Sequence, residues 1–212
     1  MLFNESSEAG SALSTDDGTL GLRERKKRDT RASLGAAALR LAVERGVAAV
    51  RTEDIAAEAG VSPRTFNNYF PSKEAAIVGM AAIRADLLCA ALRARPIDEP
   101  LHDALHAAAV ALFADEPDRT WMARTRLIRS EPSLLAEERK SDIEVERIVA
   151  EEIGHRLGTD PVVDIGPRLA AATVIAAIHT AVQFWLDGTG TGTLRGALDD
   201  AMAHFRLTTP DR

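Results

Sequence analysis

Thr52-Glu53-Asp54-Ile55-Ala56-Ala57-Glu58-Ala59-Gly60-Val61-Ser62-Pro63-Arg64-Thr65-Phe66-Asn67-Asn68-Tyr69-Phe70-Pro71-Ser72-Lys73 is the stretch from which the rest of this chain is read. Thr52 is a good N-cap, and acidic Glu53 and Asp54 suit the positive end of the helix it would open. Ile55 and Ala59 then share a face at i, i+4. Gly60 predicts the end of that helix, because glycine enters the left-handed conformation without penalty. Ser62 can cap a second helix, with Pro63 at its first position, where a missing N–H costs nothing. That helix runs to about Phe70 and stops at Pro71. Ser72 opens a third.

Two short helices joined by a tight glycine turn have the form of a helix-turn-helix. In that motif the second helix enters the major groove of DNA by its N-terminal half. Here it carries Arg64, Thr65, Asn67 and Asn68, all able to hydrogen-bond base edges or phosphate, with Ser62 at its cap and Tyr69 near its end. Phe66, between them, is expected to turn into the core. The spacing alone is equally compatible with a plain helical hairpin whose polar residues are merely solvated.

Charge separates these readings. The 212-residue chain has a formal net charge of −6, which taken alone argues against a nucleic-acid partner. Residues 1–20 hold four acids and no base, residues 21–73 hold 11 Lys/Arg against 6 Asp/Glu, and residues 74–212 hold 15 against 22. A basic module on an acidic body confines phosphate contact to one end. A helix is expected to begin near Leu22 with Arg23, Arg25, Lys26, Lys27, Arg28 and Arg31 in its first turns. Cations at a helix N-terminus oppose the macrodipole, so phosphate neutralisation, by Arg28 among others, explains them better than helix stability does. A solvated surface run is the alternative. Leu34, Ala38, Leu41 and Ala42 form the apolar face downstream, and Gly46 closes the helix.

Residues 22–80 as a whole resemble the DNA-binding domain of TetR-family transcriptional repressors. The resemblance rests on the basic helix, on a Thr-led helix ending Ala59-Gly60-Val61-Ser62, and on the run Thr65-Phe66-Asn67-Asn68-Tyr69-Phe70-Pro71-Ser72-Lys73-Glu74. Asn67 departs from the family, where that position is often aromatic. The resemblance implies phosphate contacts from Thr52, Tyr69 and Lys73, and base contacts from Arg64, Thr65 and Asn67. The chemistry agrees, since arginine can contact guanine bidentately and asparagine can pair with adenine. It also implies a homodimer on a roughly palindromic double-stranded operator, and a regulatory domain that senses an unidentified small molecule.

The composition, rich in Ala, Leu, Arg and Glu and 4% aromatic, favours helices over strands. The expected fold is all-α with about nine helices: an N-terminal three-helix helix-turn-helix domain, then a C-terminal helical regulatory and dimerisation domain. The expected divisions are a disordered acidic tail over 1–20, the DNA-binding domain over 21–73, and the sensing and dimerising domain over 74–212. One long helix is expected from Ser72 to about Arg95, and another from Leu134 to Leu157 with Ile143, Ile148 and Ile153 inward and Glu137, Glu138, Glu144 and Glu151 outward. Phe113, Trp121, Met122 and His179 are the candidates to line a ligand pocket. Small residues on the penultimate helix would let helices approach closely, and Ala177, Ala181, Phe184 and Trp185 are assigned to the dimer interface.

Other constellations carry less. Cys89 is the single cysteine, so no intrachain disulfide can form, which fits a reducing cytoplasm; it reads as a small buried apolar residue. The N-terminus does not read as a secretory signal, and no apolar run is expected to reach the ~20 residues that span a bilayer. His102 and His106 stand at i, i+4 as in zinc-protease helices, but Asp103 is shorter than the glutamate such sites use and no third ligand is evident. The run Gly188-Thr189-Gly190-Thr191-Gly192 lacks the strand context of a phosphate loop and reads as a link. No catalytic residue, metal or cofactor is therefore assigned. The competing readings are a regulator or activator without a small-molecule effector, and a metal-dependent enzyme using His102 and His106.

Overall fold

Every regular element among the described residues is helical. The computed structural model describes residues 15–79, 81–114, 117–188 and 192–205. In chain order they form α1 (Thr15–Arg45), a 3-10 turn (Val47–Ala49), α2 (Thr52–Glu58), α3 (Pro63–Tyr69), α4 (Lys73–Val78) and α5 (Ala81–Arg93). Then come α6 (Leu101–Ala111), α7 (Arg119–Ser130), α8 (Pro132–Leu157), α9 (Ile165–Leu186) and α10 (Leu194–Ala203). About nine helices were expected. The single helix expected over 72–95 is divided at Gly79, whose φ of 27° ends α4.

The chain separates into two compact units, residues 1–77 and 78–212. In the first, α1, α2 and α3 close around Leu34, Leu41, Ile55, Phe66, Phe70 and Ile77, each at most 2% exposed. Burying a side chain of that size stabilises by about 1.5–3 kcal/mol, so these few residues outweigh any surface ion pair in the unit. The exposed Arg40–Glu58 pair between α1 and α2 is one such minor contribution.

Several local expectations change. α1 begins at Thr15 rather than near Leu22, since no proline interrupts residues 15–45 to stop it. The basic run therefore lies well inside the helix, and its supposed conflict with the macrodipole disappears, because that effect fades within the first turn. Residues 1–14 of the acidic tail lie outside the described residues. Thr52 is the first helical residue of α2, not its cap. Arg51 holds the cap position in extended conformation, and its backbone N–H donates to Asp54 Oδ2 at 3.3 Å.

In the second unit one core joins α5, α6, α8, α9 and α10 around Leu88, Leu105, Val149, Ile153, Val174 and Leu198. On α8 the inward face is Leu134, Val145, Val149 and Ile153. Ile143, expected inward, is 69% exposed. Glu137 and Glu138, expected outward, are half-buried. Apolar periodicity alone misplaced the stripe, because Asp142 occupies part of the inner face. The α9 helix also overturns the expectation about apolar runs: it has 22 residues with Arg168 as its one side chain from among Asp, Glu, Lys and Arg. By length and composition it could cross a bilayer, but Ala170, Val174, Ala177 and Ala181 pack it into the core.

Candidate nucleic-acid interface and interior cavity

The turn between α2 and α3 is built by backbone hydrogen bonds. Gly60 adopts φ 68°, its N–H donates to Ala57 O at 3.1 Å, and the Val61 N–H donates to Ala56 O at 2.9 Å. That double closure is a Schellman motif. Ser62 caps α3 by accepting the Thr65 N–H at 3.1 Å, and its hydroxyl lies 2.8 Å from that of Thr65. Such a cap is worth about 1 kcal/mol. Pro63 takes the first helical position and Phe66 is fully buried, both as expected.

Arg64, Asn67 and Asn68 are exposed and fall at i, i+3 and i+4, so they share one face of α3. Thr65 and Tyr69 are half-buried on the flank, and Thr52 is half-buried at the start of α2. Arg28 is exposed on α1, as are Arg25, Lys26 and Lys27. These placements leave a row of polar donors and acceptors on a helix anchored from behind by Phe66 and Phe70.

Two basic residues do something the sequence did not disclose. Arg31 Nη1 donates to the Tyr69 carbonyl at 2.8 Å, and its guanidinium lies 4.4 Å from the centre of the Phe70 ring. It ties α1 to the end of α3, and burial lowers its pKa. Lys73 Nζ donates to the carbonyls of Val47 and Val50 at 2.8 and 3.0 Å. Those are the carbonyls at the 3-10 turn before α2. Of the three ammonium N–H groups one remains for a phosphate.

The second unit has an open cavity of about 730 Å³ between α5, α7, α8, α9 and the end of α6. Of the pocket candidates, Phe113, Trp121 and His179 line it; Met122 does not, since the next residue along α7 turns about 100° away. Trp121 meets Phe113 edge-on, with centroids 6.1 Å apart, and Trp185 at 6.4 Å. The opposite end is charged. Asp142, 7% exposed, lies with Oδ1 3.5 Å from Arg84 Nη2 and Oδ2 3.7 Å from His179 Nδ1. Glu138 Oε1 is 3.9 Å from Arg84 Nη1. Arg124 donates to the Val78 carbonyl. Burial, then the neighbouring Arg84 charge, pushes its guanidinium down to about 10, still cationic at neutral pH. Buried charges persist only where partners compensate them, so four helices are committed to this cluster.

Sequence reasoning missed Arg84, Arg124, Glu138 and Asp142. The available signal was Arg84 itself, a cation among Ile83, Ala85, Leu87 and Leu88.

Ala177 and Ala181, assigned to an interface, are 7% and 2% exposed and belong to the chain's own core. Their small side chains serve packing within the chain, and Trp185 is half-buried. Phe184 remains at the surface, 50% exposed. His106 Nε2 pairs with Asp199 Oδ1 at 2.8 Å, and His102 packs edge-on against Phe205. The two imidazoles thus serve separate contacts, and no cluster of three metal-ligating side chains occurs among the described residues.

The arrangement is that of a helix-turn-helix DNA-binding protein with a separate helical unit. Residues 34–77 match the family model of bacterial regulatory proteins, tetR family, and residues 99–209 match that of the MftR C-terminal domain. The HTH-type transcriptional regulator TcmR of Streptomyces glaucescens is 35% identical over 184 residues, which span 82% of this chain and 80% of that protein. The chain belongs to the tetR family and is a DNA-binding transcriptional regulator, in a family of regulators rather than enzymes. The fold is shared with a crystal structure from Pseudomonas aeruginosa PAO1 (TM-score 0.54, 21% identity, 82% of this chain and 86% of that one). It is shared too with NalD, the secondary repressor of the MexAB-OprM multidrug efflux pump in Pseudomonas aeruginosa (TM-score 0.50, 18% identity, 85% and 95%).

Proposed function

We propose that this regulator is a cytoplasmic homodimeric repressor, released from a roughly palindromic operator when a small molecule enters the cavity of its second unit. The observation that carries the effector is the cavity itself: about 730 Å³ of space where a regulator without a ligand would be expected to pack a closed core. That volume lies in the range of small-molecule sites. Arg64, Asn67 and Asn68 are the base-contacting residues in this reading, with Thr65 beside them. Arg28, Thr52, Tyr69 and the third N–H of Lys73 hold phosphate, and Ser62 shapes the helix that presents them. Phosphate contacts set the register, and base contacts choose the site.

Dimerisation is supported by α9. Ile165, Leu169 and Phe184 expose 78%, 59% and 50% of their surface along one face. Two-fold pairing of such faces would present two α3 helices to two half-sites. A ligand releases DNA only through different affinity for the bound and released states. Fluorescence anisotropy on the selected operator, with and without a ligand found by thermal shift, is the test. The expected result is a fall in operator affinity of tenfold or more at saturating ligand. Unchanged affinity would leave the alternative, a regulator without this effector.

A further inference from the structure

We propose that α1 carries a second DNA-contacting surface, on the turns ahead of Arg31, which grips phosphates beyond the stretch of operator that α3 reads. This rests on the reading of α3 and Arg28 given above and extends it along the duplex. Arg31 sets the geometry: its Nη1 donates to the Tyr69 carbonyl at 2.8 Å, and its guanidinium lies 4.4 Å from the centre of the Phe70 ring. That contact fixes which side of α1 faces the end of α3. Lys27 and Arg28 precede Arg31 by four and three residues, so they project from the same side. Arg25, three residues before Arg28, widens that stripe. Lys26 points about 140° away from Arg31.

At 1.5 Å per residue, Lys27 stands about 6 Å and Arg25 about 9 Å further along α1 than Arg31. The stripe therefore runs on past the end of α3. Nothing in the first unit covers it: residues 25–29 are all exposed, whereas Leu34 on the same helix is fully buried. Like charges three and four residues apart destabilise a helix, and no packing offsets the repulsion here. Duplex DNA, with one negative charge per ~1.7 Å of its axis, is the partner that turns this repulsion into attraction. Exposed cations with no neighbour to aim them at base edges contact phosphate, which adds affinity without sequence preference.

The test is fluorescence anisotropy of the full-length protein on two duplexes. One is the operator selected from randomised DNA; the other adds about 10 base pairs of arbitrary sequence, one helical turn, at each end. The unmodified protein should bind the longer duplex about tenfold or more tighter at low salt, and most of that gain should vanish between about 50 and 200 mM NaCl, as expected for two phosphate contacts. Longer DNA offers any protein more non-specific sites, so variants decide the cause. Arg25→Gln combined with Lys27→Gln should bring the two affinities together. Lys26→Gln, the same loss of charge on the opposite side of α1, should keep the gain. Glutamine matches lysine and arginine in helix propensity, and the comparison of duplexes with unmodified protein needs no variant. Equal affinities in the unmodified protein would overturn the proposal while leaving α3 as the operator reader. A gain that survives the double substitution, or is lost equally with Lys26→Gln, would overturn the assigned face. A changed base preference in the double variant would place these side chains on bases and overturn the phosphate assignment. Failure to enrich any operator would overturn the reading of α3 along with this one.

Discussion

Arg31 and Lys73 are two cations of the basic module whose charge is directed inward. Lys73 holds the carbonyls of Val47 and Val50, so Lys73→Ala should lower the stability of the protein by about 2 kcal/mol, as expected for hydrogen bonds made by a charged donor. Urea denaturation followed by circular dichroism checks this; an unchanged midpoint would reduce the residue to a phosphate contact alone. Arg64 behaves in the opposite way. It is exposed and makes no contact that supports the fold, so Arg64→Ala should leave stability within ~0.5 kcal/mol and relax base preference at one or two operator positions. Selection from randomised DNA, compared with the unmodified protein, reads that out. Cys89 is 4% exposed, and burial together with the charge of Glu152 pushes its thiol up to about 11 from 9.0. Only the thiolate reacts, so a raised pKa means less thiolate at any pH below it. At pH 8 the folded protein should be alkylated at least ~100-fold more slowly than the unfolded chain, by the two-unit rise alone. Rapid labelling of native protein with iodoacetamide would contradict the assignment of Cys89 to the core.

At the scale of the element, the helix boundaries are set by chemistry that a few consecutive residues carry. Ser62, Pro63, Gly60 and Pro71 stop and start α2 and α3 where the sequence reading placed them. The end of α8 is also local but was not fully legible. Gly158 takes the left-handed conformation with φ 65° and ends the helix. Gly154, one turn earlier, permits the chain to fold back. A Cβ there would lie 2.8 Å from Thr159 O and 2.9 Å from Pro161 Cδ. Gly154→Ala should therefore destabilise the second unit by about 1–3 kcal/mol, the cost of overpacking a filled site, despite alanine's better helix propensity. Differential scanning calorimetry should show a lower Tm, and an increase would mean that the return loop yields freely. The face of α8 was the least legible feature of any element. Ile143, Ile148 and Ile153 read as an inward stripe, yet Ile143 lies outward and Asp142 inward. A buried aspartate is unfavourable on its own, and nothing in α8 announces that Arg84 on α5 and His179 on α9 will meet it.

For the whole molecule, the proposed dimer rests on how α9 divides its surface between its own core and the solvent. Its alanines at 177 and 181 belong to the core, and its exposed stripe is formed by Ile165, Leu169 and Phe184. If α9 pairs as proposed, Leu169→Glu should leave the chain folded, because this side chain is 59% exposed, and should shift the protein to a monomer with weakened operator binding. Size-exclusion chromatography with light scattering separates the outcomes; a dimer that persists would place the interface elsewhere.

The sequence by itself determined the helical class, the two-part organisation of charge, the helix-turn-helix with the Ser62 cap of its second helix, and the family through its signature at 65–74. Each of those rests on residues adjacent in the chain, where propensity, capping and proline geometry act over one or two turns. Only the tertiary structure decided that Arg31 and Lys73 turn inward, that Ala177 and Ala181 pack within the chain's own core, and that Arg84, Arg124, Glu138, Asp142 and His179 meet at one end of a cavity. Those outcomes depend on which helices come to lie beside one another. A charged side chain looks the same in sequence whether it faces water, a carbonyl or a cavity, and packing over long separations makes the choice.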